Sequence, residues 1–145
     1  MKKEEVRVVF DAYIFKGGVT GKEPGYSAYG KMLSSRYHAL VISEEIIENY
    51  DKAIAKNGFS PKLIWIEYQK LEAMQKLRFA KRERIEGIEE KVDVHRKDKA
   101  FSRAAFALKA KYIVTQDKRH LLSKKSEFRK YQIEVLTPEE YVKDS

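Results

Sequence analysis

Asp11, Asp98 and Asp117 are the residues whose type and spacing could do chemistry. Asp11 directly follows a short β-rich run, Val6–Phe10 (VRVVF). Asp117 lies just past another, Lys111–Thr115 (KYIVT). Asp98 precedes a helical pattern whose end feeds that second run. In an open α/β sheet, such positions fall at the carboxyl edge of the strands, where ligands bind. Carboxylates gathered at one edge repel one another, so a cluster is usually stabilised by a cation. An oxygen-only donor set suits Mg²⁺ or Mn²⁺. Each Asp alone also reads as a turn or cap residue; the three together are what point to a metal site.

The elements that must position them follow from pattern. His38–Ile42 and Ile133–Leu136 are two further apolar runs of strand length. Tyr26–Tyr37 has helical spacing. Ser43 followed by EEIIENY reads as an N-cap with acidic residues in the first turn, and Gly58 as a stop. A helix opening at Ser60-Pro61 is expected to run to about Phe79, and another spans Lys99–Ala110. Residues 78–90 are too charged to assign, Arg119–Lys125 suits a helical turn or two, and Pro138–Val142 a final turn. The glycines at 17, 18, 21 and 25 suggest a flexible loop. Lys16 and Glu23 stand where a phosphate-binding loop would need Gly and Ser/Thr, so that motif is excluded. Short strands alternating with longer helices give an α/β class with a mainly parallel central sheet of about four to five strands, helices on both faces.

The chain of 145 residues fits one domain, 1–145. With no cysteine, disulfides, thiolate zinc sites and cysteine nucleophiles are excluded. No apolar run approaches the ~18–20 residues of a membrane span. MKKEEVRVVF has no apolar segment of the kind a secretory signal carries. A cytoplasmic protein is the expectation. The formal net charge is +8, and residues 78–130 hold 17 Lys/Arg against 8 Asp/Glu. Such a field attracts polyanions. Lys118, Arg119, Lys124, Lys125, Arg129 and Lys130 follow Asp117 closely and are the first candidates for contacts to the backbone of a polyanion. His120, three residues from Asp117, has the chemistry of a general base but reads more simply as a surface residue.

Several segments resemble those of PIN domains. VVFDAYIF is similar to their opening strand with its Asp, and LVISEEIIENY to the second strand and its helix. DKAFSRAAFALKAKYIVTQDKRHLL is the closest match, and VLTPEEYV resembles the usual ending. The resemblance spans nearly the whole chain in the right order. It implies a three-layer α/β/α sandwich and, for the VapC-like prokaryotic members, a Mg²⁺- or Mn²⁺-dependent ribonuclease paired with an antitoxin. Homodimers are common in the family.

By this resemblance Asp11, Asp98 and Asp117 fall on the first, third and fourth acidic positions and would ligate the metal. Thr115 falls on the usual Thr/Ser and would hydrogen-bond an acidic neighbour. Two positions depart from the pattern. The second acidic position is held by Asn49, which offers an oxygen to orient a water but no charge. The family's Asn two residues after the first Asp is here Tyr13, read as a packing residue or as a ring for stacking on a base. Glu45, one turn back and ~40° round the helix from Asn49, is the possible compensating acid. The alternative to a ribonuclease is a catalytically degenerate domain that binds RNA or a protein partner without cleavage.

Overall fold

Three apolar runs form the centre of the sheet because their side chains are buried on both faces. The computed structural model describes residues 4–144. Met1–Lys3, which carry the N-terminal lysine pair, and Ser145 lie outside the described residues. Val8, Val9 and Phe10 of β1 (Val6–Phe10), Leu40 and Val41 of β2 (His38–Ser43), and Ile113 and Val114 of β4 (Tyr112–Val114) are fully buried. β3 (Leu77–Ala80) and β5 (Glu134–Leu136) close the two edges. The order is β3-β2-β1-β4-β5, and every pairing is parallel, with Val8 beside both Leu40 and Tyr112.

This order explains where a site forms. The chain winds outward from β1 to β2 and β3 through α1 (Ala12–Thr20), α2 (Gly25–Ser34), α3 (Glu44–Lys56) and α4 (Lys62–Ala73). It then crosses back through α5 (Arg82–Glu86) and α6 (Lys99–Ala107) to β4, and through α7 (Lys125–Arg129) to β5, ending in α8 (Pro138–Asp144). Right-handed crossovers running in opposite directions put their helices on opposite faces. The result is the expected α/β/α sandwich, with its switch point between β1 and β4, where a crevice opens.

Three expectations are corrected. The glycine-rich stretch is not a flexible loop: α1 runs through Gly17 and Gly18. A Cβ on Gly18 would lie 2.6 Å from Tyr29 Cβ, so the absent side chain lets α2 pack tightly on α1. The helix expected to reach Phe79 stops at Ala73, where Gln75 takes φ 58°, and Leu77–Ala80 becomes an edge strand beside β2. That strand is short and half exposed, so it lacks the apolar run of the central three. Lys99–Ala110 ends earlier, at Ala107. No helix among the described residues is long and apolar enough to cross a membrane.

Candidate active site

Asp11 ends β1 and N-caps α1: one carboxylate oxygen accepts the Ile14 N–H at 2.9 Å. The other accepts the hydroxyl of Thr115. Thr115, fully buried past β4, accepts in turn the Asp117 N–H at 2.9 Å. The Asp11 N–H donates to Val114 O at 3.1 Å. The two strand ends at the switch point are thereby locked together. Asp117 is half-buried, and its Oδ1 accepts the N–H groups of Arg119 (3.1 Å) and His120 (2.9 Å). Asp98 is held from the opposite face, in the 3-10 turn Arg96–Asp98 that opens α6. It is buried, and its Oδ2 has no hydrogen-bond partner.

The three carboxylates feel one another. Burial pushes the Asp98 carboxyl up to about 7, with the charges of Asp117 and Asp11 adding to it. Burial likewise raises Asp11 and Asp117 adds to this, while the Thr115 hydroxyl and the Ile14 N–H pull the other way. Asp11, Asp98 and Asp117 line one open cleft of about 770 Å³, joined by Asn49 from α3. The Asn49 amide nitrogen donates to Glu45 O at 2.8 Å, which leaves its side-chain oxygen as the group available to the cleft.

The donor chemistry fits a hard divalent cation. It is all oxygen, it carries mutually repelling charge, and a buried carboxylate oxygen has no partner. The set is loose: among the described residues no three His, Cys, Asp or Glu side chains form a ready-made cage.

The other expected site residues sit elsewhere. Glu45 does not line this cleft. It faces a neighbouring one and pairs with Arg103 at 2.8 Å. None of the six basic residues after Asp117 lines the acidic cleft. Lys118, Arg119, Arg129 and Lys130 are exposed, whereas Lys124 pairs with Glu127 (3.5 Å) and Lys125 with Glu140 (3.2 Å). The cationic lining comes instead from Lys52, Lys56 and Lys97. Tyr13 also lines the cleft and is 53% exposed, so it is not a packing residue. The i, i+3, i+7 spacing of Asn49, Lys52 and Lys56 on α3 was the signal that puts those lysines on the Asn49 face. His120 lies against His95 with the rings tilted by 33° and their centroids 4.2 Å apart, beside the cleft rather than in it.

A parallel sheet with acidic side chains gathered at its switch point defines an α/β domain built around a candidate cation site. The sequence pattern of the PIN domain matches residues 7–119, and the chain belongs to the PIN-domain family. Among solved structures, the fold is similar to a chain of VapBC2 from Rickettsia felis, crystallised bound to a DNA fragment from their promoter. The TM-score is 0.51 at 11% identity, covering 91% of this chain and 98% of that one. No curated protein is a recognisable relative by sequence.

Proposed function

We propose that this chain is a VapC-like endoribonuclease, dependent on Mg²⁺ or Mn²⁺, that hydrolyses RNA phosphodiester bonds. The observation that carries the reading is the convergence of three carboxylates on one cleft, with a buried Asp98 oxygen left without a partner. Asp11, Asp98 and Asp117 would hold the cation. When bound, it would favour ionisation of an attacking water and neutralise charge gathering on the phosphate. Thr115 is a positioning residue that fixes the Asp11 carboxylate through its hydroxyl and the Asp117 backbone through its oxygen. Asn49 presents an amide oxygen that orients a water. The exposed residues Lys118, Arg119, Arg129 and Lys130, with Lys124 and Lys125, supply a field that retains RNA on the flank beyond Asp117. By analogy with the two-component VapBC2 assembly, an antitoxin partner is part of the proposal, as are a homodimer and a cytoplasmic setting.

One observation favours the second reading, a degenerate domain that binds without cutting: Asn49 brings no charge and Glu45 is engaged by Arg103. Cleavage of a mixed single-stranded RNA substrate with Mn²⁺ separates the two. Under the ribonuclease reading, Asp117→Asn lowers the rate roughly 100-fold or more and EDTA abolishes it. RNA binding that persists in EDTA, with no cleavage in Mn²⁺, would favour the degenerate domain.

A further inference from the structure

The acidic cleft has one wall of a different character. Tyr13, on the first turn of α1, stands at its rim with half its surface in solvent. Lys16, one turn on, sets its ammonium 4.9 Å from the centre of that ring. Lys52 and Lys56 of α3 line the same cleft, a helical turn apart, ~6 Å along the axis. Neither lysine is in an ion pair among the described residues. Tyrosine is intermediate in its tendency to be buried; this one, three residues past the end of β1, is held outside the core, and the cation beside it restrains the ring.

We infer that the α1–α3 wall is the track of a single-stranded RNA, with Tyr13 as the platform on which one base stacks and Lys52 and Lys56 as its phosphate contacts. Substrate class rests on the ribonuclease reading; the placement of the strand does not. The chemistry is complementary. The carboxylates repel a polyanion, so the strand needs cations within the cleft itself, and the flank after Asp117 places none there. A base–aromatic stack tolerates any sequence because every base has a π-face. It also fixes the register of the backbone over the carboxylates, which phosphate contacts alone do loosely. Tyr13 is thus a positioning residue for the strand, in a place where its surroundings give it no packing role.

The test is binding of a short single-stranded RNA followed by fluorescence anisotropy in EDTA, so that hydrolysis does not enter. Tyr13→Leu is expected to weaken binding about tenfold, and Tyr13→Phe to bind as the parent does. An otherwise identical strand of abasic sugars should bind the parent and Tyr13→Leu equally. The double change Lys52→Ala/Lys56→Ala should flatten the slope of log affinity against log salt by about 1.4. Unchanged melting temperatures identify folded variants, since all three side chains are exposed or at the rim. Equal binding by Tyr13→Leu and parent, or an equal loss with the abasic strand, would overturn the inference, as would a parent that binds no RNA. Cleavage in Mn²⁺ is scored separately. Absent cleavage with the Tyr13 effect intact sinks the ribonuclease reading alone; cleavage with no Tyr13 effect sinks only this inference.

Discussion

Two acidic clefts open along the carboxyl edge of the same sheet, and they manage charge in opposite ways. In the cleft past β2 and β3, Arg103 bridges Glu45 at 2.8 Å and Glu90 at 3.2 Å, and Arg82 bonds Glu44 at 2.7 Å. Hydrogen bonding from Arg103 and the charge of Lys99 hold the Glu90 carboxyl below its ordinary range. In the cleft past β1 and β4, burial and like charge push Asp98 and Asp11 the other way. One region pairs its carboxylates with arginines of the chain; in the other, Asp11, Asp98 and Asp117 form no ion pair among the described residues, although Lys52, Lys56 and Lys97 line the same cleft. The first arrangement is what stability favours. The second is costly in isolation, which is why it reads as functional.

The sharpest way to break this contrast is to remove the buried charge. In metal-free protein, Asp98→Asn is expected to raise stability by about 1–2 kcal/mol at pH 8, measured by denaturant unfolding. The sign follows from linkage. The folded carboxyl titrates near 7 and the unfolded one near its ordinary value of about 4. Between these values the folded parent binds more protons, so its stability rises as pH falls through that window. The advantage of the variant therefore shrinks toward pH 4. A constant difference across pH would mean that burial of charge is not the cause.

Next in size is a change that deepens the contrast. Asn49→Glu adds a fourth carboxylate to the cleft and is expected to tighten Mn²⁺ binding about tenfold, read by calorimetry. In the other cleft, Arg103→Met takes the cation from two glutamates, one with a buried oxygen that lacks a partner. Because these groups are partly exposed, a small loss of stability is expected in denaturant unfolding, with Mn²⁺ affinity unchanged. The smallest effect belongs to Glu45→Gln. If Glu45 stays with Arg103, Mn²⁺ affinity moves less than about twofold; a larger loss would show that Glu45 swings across to compensate for Asn49.

What could be read from the sequence was what local pattern encodes. VRVVF and KYIVT announce buried strands, and an Asp just past each then falls at the carboxyl edge for any parallel sheet. Ser43 was legible as a cap, and it accepts the Ile46 N–H at 3.2 Å. The rest depended on which surfaces meet. Gly17 and Gly18 carry the signature of a flexible loop, and only the approach of the Lys22–Gly25 backbone to the first and of Tyr29 to the second shows that they serve packing inside a helix. β3 was hidden because an edge strand with an exposed Phe79 has no full apolar run. In the site, the acids were legible but the cations were not. The run after Asp117 is dense in charge yet lies off the cleft, whereas Lys52 and Lys56, 65 and 61 positions before Asp117, reach it through the packing of α3.

The claim most in need of a direct test is that the β1–β4 cleft takes its cation from solution. Calorimetric titration of EDTA-stripped protein with Mn²⁺, beside the double variant Asp11→Asn/Asp117→Asn, addresses it. Both substitutions keep the size of the side chain, and Asn caps a helix as Asp does. The expected result is saturable binding in the parent that vanishes in the variant. No binding by the parent up to millimolar Mn²⁺, or equal binding by both proteins, would contradict it.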